Sequence, residues 1–388
     1  MSHYRDSFKH STPRFVESSA QKIDPLVDNQ HFSHVDAVFP VVRFFSSQGT
    51  ASLGNTIVYQ LPTTGYLHEM CIQNDFAQTT TADVIPYVGA CSISRIVLRA
   101  GSETIHDYDY VDALNYLLSQ VGDEESITQI MEAAGGSACD TTSAAIPNLM
   151  ALIPTAFSGL MGNKPLALHK LSVRVELEVT YRSAVQITLA TGSGASISNS
   201  QLVCYMSDAG DTLKNSHLNE AVIQKSIDIR TYKSSAITTA TETSLDISGF
   251  PGLIKKLNIR LSKSADIDSS TPINYFSNQV IDTLKTDVDG DSEVVFQDVN
   301  QGKMLSIVYN QGKAQSSTLG YTYCVPYSLH TTESKLCHKH NTGGLHSSKV
   351  NKNKLKITHS LGENAECGVT AIISALYQYK NGQLKRLL

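Results

Sequence analysis

Residues 152–189 read LIPTAFSGLMGNKPLALHKLSVRVELEVTYRSAVQITL, and the second half of this stretch alternates without a slip. Leu171, Val173, Val175, Leu177 and Val179 fall on one side; Ser172, Arg174, Glu176 and Glu178 fall on the other. A period of two is that of a strand with one wet face. About nine residues at ~3.3 Å each extend to nearly 30 Å, and only a packed second sheet can cover the large apolar side chains such a strand presents. The core is therefore expected to be sheet on sheet. Pro154, Gly159, Gly162 and Pro165 precede the strand; they exclude a helix and predict a turning, ordered lead-in.

Outward from this stretch, the 388 residues exceed one small core and suit two domains, with two similar halves as the first expectation. Trp is absent and Tyr outnumbers Phe, 17 to 11, a mixture suited to β-rich surfaces. No run approaches the ~18 consecutive apolar residues of a membrane-spanning helix. The opening MSHYRDSFKHSTPRFVESSAQ has no apolar run behind its basic residues and does not read as a signal peptide. No Asn-X-Ser/Thr acceptor occurs, in keeping with a protein made in the cell interior, outside the secretory path. The cysteines, Cys71, Cys91, Cys139, Cys204, Cys324, Cys337 and Cys367, are odd in number and widely spaced, which predicts small buried residues rather than a disulfide framework. A net charge of −5 with dispersed Lys and Arg argues against a phosphate backbone as partner, and no sequence-specific nucleic-acid binding is expected.

Residues 1–34, polar with charges of both signs, read as an N-terminal arm. Strands are expected at 38–45, 56–61, 93–99 and 104–106, with turn-rich SSQGTASLGN between the first two. From Tyr110 the residues Ala113, Leu114, Leu117 and Leu118 recur at three and four, predicting a helix. Asp123, Glu124 and Glu125 open a second helix through Ile127, Ile130 and Met131, which Gly135-Gly136 stops. These helices are expected in an insertion near 110–134, outside the core. After the opening strand, 185–189 is expected to continue or neighbour it, TGSGASISNS to be a loop, and 201–206 a strand. Residues 208–221 carry no strand pattern and take the boundary, giving a first sandwich over 35–215 and a second over 216–388. In the second half, strands are expected at 223–232, 244–247, 257–261, 293–296, 303–309, 321–329, 354–358 and 369–380. The last has Val369, Ala371, Ile373 and Ala375 on one face and Ile372 and Leu376 on the other, so it is expected to be covered on both sides. About eight short strands per half is the count of a jelly roll, and no short period repeats. The fold class expected is all-β, two tandem eight-stranded jelly rolls with short helices in loop insertions.

Chemistry-bearing clusters are few. Cys337, His338, His340 and His346 lack the two spaced pairs of a zinc site and read as a histidine-bearing loop. Asp287, Asp289 and Asp291 resemble a calcium loop, but Ser292 stands where that loop needs Gly; a hairpin turn at Asp289-Gly290 is the better reading, with an ion held by the loop carboxylates left open. Gly192 and Gly194 lack the following helix of a phosphate-binding loop. Glu124 with Glu125 reads as a helix start, and Glu176 with Glu178 as a solvated strand face. No hydrolase or metalloprotease motif is present. Catalytic, cofactor-binding and metal sites are all expected to be absent.

In order along the chain, VVRFFSSQGTASLGNTIVYQLP, ISRIVLRAGSETIHDYDYVDALNYLL, LIPTAFSGLMGNKPLALHKLSVRVELEV and the tail (YTYCVPYSLHTTESKL, GGLHSSKVNKNKLKIT and the closing residues 371–388 with their Asn381-Gly382 turn) resemble the double jelly-roll major capsid proteins of tailless icosahedral viruses. That family includes adenovirus-like, large-DNA-virus, virophage and tectivirus-like members. The resemblance implies two jelly rolls side by side, a homotrimer of hexagonal outline, neighbouring capsomers in an icosahedral shell, a virion location and no enzymatic activity. It also implies penton or minor capsid proteins, and an internal membrane met through the arm, as further partners. The rival classes are a carbohydrate-binding or hydrolytic β-sandwich, and a minor capsid or spike protein on a related fold.

Overall fold

The computed structural model describes residues 39–79, 84–121, 124–136, 145–161, 164–188, 194–208, 222–263, 275–276, 278–309, 320–328 and 343–387. The arm over 1–34, the boundary segment 208–221 and the strand expected to reach residue 329 fall wholly or in part outside these residues. The first half supplies β1 (Phe39–Ser46), β2 (Thr56–Gln60), β3 (Tyr66–Ala77), β4 (Ile93–Ala100), β5 (Glu103–Asp109), β6 (Ala145–Ile153), β7 (Leu166–Ala167), β8 (Val175–Tyr181) and β9 (Ser196–Asp208). Its helices are α1 (Val88–Cys91), α2 (Tyr110–Val121) and α3 (Glu124–Ala133). The second half supplies β10 (Val222–Ile237), β11 (Thr243–Asp246), β12 (Leu253–Lys263), β13 (Thr283–Val288), β14 (Asp291–Phe296), α4 (Val299–Tyr309), β15 (Tyr323–Pro326), β16 (Leu345–His346), β17 (Asn353–Thr358), β18 (Ala365–Lys380) and β19 (Gln383–Arg386).

Four antiparallel sheets result. The first half pairs β1-β9-β3-β6 in one and β2-β8-β4-β5 in the other; the second pairs β10-β18-β12-β15 and β11-β17-β13-β14. Two-residue β7 and β16 and the short β19 attach to β3, β12 and β18. With these three set aside, each half has eight strands in the same order, first-eighth-third-sixth facing second-seventh-fourth-fifth. This is jelly-roll topology, twice.

The alternation that opens at Leu171 holds in burial: Leu171, Val175, Leu177, Val179 and Tyr181 are buried while Glu176 and Glu178 remain partly open. Ladder pairing begins only at Val175, because Ser172 and Val173 give their N–H groups to the Gly382 carbonyl instead. β18 is covered on both faces over 367–373, as expected: Cys367, Val369, Ala371 and Ile373 enter the second core, while Thr370 and Ile372 are buried on the other side. Further along, Ala375, Tyr377 and Tyr379, on the same side as Ile373, enter the first core, and Leu376 opposite them is only half-buried. Both expected turns form, Asp289-Gly290 between β13 and β14 and Asn381-Gly382 between β18 and β19, each with two positive φ angles.

Other expectations are corrected. Residues 303–309 are part of helix α4, not a strand. Asp298 starts that helix, its Oδ1 accepting the Asn300 N–H at 2.7 Å, and Gly302 lets the helix settle against Phe296 and Tyr323. Residues 185–188 are not a strand: a 3-10 turn, Ala184–Gln186, is closed by the Ser183 and Gln186 capping box, and Leu189 lies outside the described residues. TGSGASISNS is not all loop, since β9 begins at Ser196. The helices near 110–134 do not lie outside the core. Tyr110, Val111, Ala113, Leu114, Tyr116, Leu117 and Leu118 of α2 are all buried, and the first core runs through them into Ile227, Ile229 and Tyr377 of the second half.

Candidate assembly surfaces

The lead-in to β8 and the helix α2 together form the seam between the halves. Along the lead-in, Ser226 donates to the Ala156 carbonyl, Gln224 Nε2 donates to the Lys164 carbonyl at 2.9 Å, and Ala167 N–H points to the Tyr379 hydroxyl at 3.4 Å. The Phe157 and Tyr377 rings meet at 5.2 Å between centroids. Prolines and glycines here expose backbone groups that a strand or helix would consume, and the second half uses them.

Across α2 the contacts are charged. Asp109 caps the helix, its Oδ1 accepting the Asp112 N–H at 3.2 Å. Asp112 then accepts from Arg260 of β12, whose Nη1 also donates to the Tyr275 carbonyl at 2.9 Å. Thr370 of β18 donates to the Asp112 carbonyl at 3.3 Å, Lys256 of β12 to Gln120 at 3.3 Å, and Thr322 to Asn115 at 3.2 Å. Burial pushes the Asp112 carboxyl up despite Arg260, while Lys233 and its cationic neighbours outweigh burial at Asp109 and hold it down. A second cluster surrounds Asp228. His106 Nε2 accepts the Ala156 N–H at 2.9 Å, so its proton sits on Nδ1, 2.9 Å from Asp228 Oδ1. Arg386 and Arg230 approach Oδ2 at 2.8 and 3.2 Å.

The outer face of the β1-β9-β3-β6 sheet is different. Phe44, 60 % exposed, and Val42 on β1 stand beside exposed Tyr205 on β9. Next to them a cavity of about 620 Å³ opens between α3, the Gly159–Met161 turn and the sheet, lined by Cys71, Ile130, Met150, Leu152, Leu160 and Tyr205. Glu69 at its wall is already satisfied: both carboxylate oxygens accept from Ser158 Oγ, at 2.7 and 2.8 Å, and one accepts the Leu160 N–H at 2.9 Å. Burial raises its pKa against the pull of these hydrogen bonds. Burial likewise pushes the Cys71 and Cys204 thiols up to about 12, so neither is a thiolate at neutral pH.

The residues singled out by sequence are dispersed. Asp287 is paired with Lys356 at 2.7 Å and accepts the Gly290 N–H; Asp289 Oδ1 accepts the Asn351 and Lys352 N–H groups, both at 2.8 Å. Those carboxylates brace a hairpin. His346 Nδ1 lies 2.8 Å from Ser348 Oγ, while Cys337, His338 and His340 fall outside the described residues, as does Gly192. Gly194 lies just before β9 at positive φ. Glu124 and Glu125 open α3, and Glu178 pairs with Arg99 across β8 and β4. Cys71, Cys91, Cys204, Cys324 and Cys367 are buried and in no disulfide; Cys139 and Cys337 are outside the described residues. Among the described residues no three His, Cys, Asp or Glu gather as a metal set. The seam residues Asp112, Arg260, His106 and Asp228 escaped sequence reading. The only signal was two acids, Asp107 and Asp109, leading into a helix whose third residue is another acid.

No family model matches the chain, and no curated protein matches its sequence. Solved structures do match in shape. The PBCV-1 virus capsid superposes with a TM-score of 0.73 at 12 % identity, covering 93 % of this chain and 99 % of that one. The Faustovirus major capsid protein gives 0.65 at 10 % identity, with 93 % of each chain covered. A chain of the Sputnik virophage structure gives 0.55 at 9 % identity, covering 95 % and 92 %. Nearly whole-length agreement in shape at so little identity places this chain in the double jelly-roll fold that these viral proteins share.

Proposed function

We propose that this chain is a major capsid protein: a structural subunit that forms a homotrimer of hexagonal outline and tiles, with neighbouring capsomers, an icosahedral shell. One observation carries the reading. Two sandwiches of identical strand order sit side by side in one chain, joined by a buried seam, while the corresponding outer face of the first sandwich is apolar and open. A chain that presents two copies of one shape makes six positions from three molecules, and cyclic association closes the set. The whole-length likeness to capsid proteins supports the same reading. In this reading residues 1–34 are an arm that meets a neighbour, a minor capsid protein or an internal membrane, 35–215 and 216–388 are the two jelly rolls, and the protein resides in the virion and has no reaction centre. The His106–Asp228 pair serves the seam rather than catalysis, since the second ring nitrogen is taken by the Ala156 N–H.

The test is native mass and imaging of the purified full chain. A species of three times the 42.2 kDa chain mass, hexagonal in projection, is expected. A permanent trimer of this kind buries more than ~2,000 Å² per contact. A chain that stays monomeric at micromolar concentration overturns the reading.

A further inference from the structure

Inside the chain, the contact between halves has a definite plan. β5, the fifth strand of the first sandwich, lies beside β10, the first strand of the second, with Asp109 N–H donating to Thr231 at 2.8 Å. α2, which follows β5, lies across the outer face of β18 and β12. Asp112, Tyr116 and Gln120, at i, i+4 and i+8, meet Thr370, Arg260 and Lys256 there. Gly368 on β18 has no side chain because one would strike the Asp112 carboxylate.

The second sandwich has the same parts in the same order. β14 is its fifth strand and α4 follows it. On α4, Asn300, Met304 and Val308 repeat the i, i+4, i+8 spacing, and they face outward: Met304 is 60 % and Val308 61 % exposed. Val294 on β14 is exposed too. The opposite helix face is committed to its own sandwich, with Gly302 against Tyr323 and Phe296 and Ser306 buried. The matching receptor is the outer face of the first sandwich. There β9, β3 and β6 stand where β18, β12 and β15 stand in the second, and that is where Tyr205 and the 620 Å³ cavity lie, with Val42 and Phe44 on β1 in the place of β10.

We propose that β14 and α4 of one copy dock on the outer face of β1, β9, β3 and β6 of a second copy, with Met304 and Val308 entering the cavity. The contact between copies thereby repeats the one that β5 and α2 make on β10, β18 and β12 within a copy. The two patches lie on different halves, so the contact is heterologous, and alternating it with the internal seam sets six sandwiches in a ring from three chains. Its chemistry suits a surface that meets after folding. The patches are apolar, and Glu69 at the cavity wall already has Ser158 and Leu160 as partners, so closing the cavity strands no carboxylate. The internal seam, formed once as the chain folds, holds the buried charges instead.

This inference rests on the trimer reading, and the experiment separates the two. Native mass spectrometry of the full chain is run on wild type, Met304→Glu and Val308→Glu. The wild type is expected as a trimer, and each variant is expected to weaken it about tenfold or more with the thermal midpoint of the dissociated chain unchanged, since both side chains are exposed. A benzophenone amino acid replacing Met304, irradiated in the trimer, is expected to link to the cavity walls of another copy, residues 66–77, 130–133, 145–153, 159–160 or 196–208. Trimers as tight as wild type in both Glu variants, or links from position 304 to other surfaces, overturn the inference and leave the trimer standing. The same probe replacing Tyr205 and linking to residues 1–34 gives the cavity to the arm and overturns it as well. A wild-type monomer overturns both.

Discussion

At Asp228 a carboxylate out of reach of water meets an imidazole and two guanidiniums. Burial alone drives its pKa up, but the His106 contact and the charges of Arg230 and Arg386 outweigh burial and hold it below the ordinary carboxylate range. A group with a depressed folded pKa adds stability that is complete above its unfolded value, near ~3.9, and is lost as pH falls through the lower folded value. Glu69 and Asp112, raised by burial, act in the opposite sense on acidification, so the variant must be compared with wild type pH by pH. Asp228→Asn should cost about 3 kcal/mol at pH 7, where two half-buried guanidiniums lose their buried counter-charge. The gap to wild type should shrink below about pH 4, as the wild-type Asp228 itself takes up a proton. Thermal unfolding of both proteins from pH 7 to 2 checks this; a gap constant with pH would count against it. None of this is legible in the chain, because Asp228 sits in an alternating stretch, SIDIRTY, where an acid reads as a solvated face.

At the scale of elements, the β18–β19 hairpin is also a dock. Asn381 and Gly382 have φ of 52° and 71°, as a two-residue hairpin turn requires, and the Gly382 carbonyl accepts Ser172 N–H at 2.8 Å. A Cβ on Gly382 would strike the Ser172 side chain, whereas Gly290, in the other Asp/Asn-Gly turn, faces open space. Gly290→Ala should therefore cost only backbone strain, about 1 kcal/mol, and Gly382→Ala more, up to about 3 kcal/mol, in urea unfolding. Equal costs would show that the turn does not matter to the lead-in. Both turns could be read from sequence because Asn-Gly and Asp-Gly act locally. β3 and β6 could not: β3 has a bulge near Glu69 that shifts its alternation, and β6 carries an extra residue opposite Asp75 and contains Pro147 and Asn148, the latter at positive φ. α4 was hidden for a related reason, its KMLSIVY reading as a strand until Asp298 and Gly302 are seen to start and seat a helix.

For the whole molecule, the Asp112–Arg260 pair ties the halves across 148 residues of chain. Arg260→Ala should cost about 3–5 kcal/mol by leaving a buried carboxylate alone, while the paired change Asp112→Leu with Arg260→Met should recover most of the loss. Chemical denaturation of the three variants measures it, and a double variant as weak as the single one would mean the pair is not the tie. Alternation at 171–179, the turn dipeptides and the strand count were enough to reach two jelly rolls, because period and turn chemistry are properties of neighbouring residues. Only the tertiary structure decided that α2 lies in the seam rather than in an outlying insertion, and that the charges of Asp112, Arg260, His106 and Asp228 converge there. Which distant side chains share a buried space depends on how sheets stack, and no local pattern in the chain encodes that stacking.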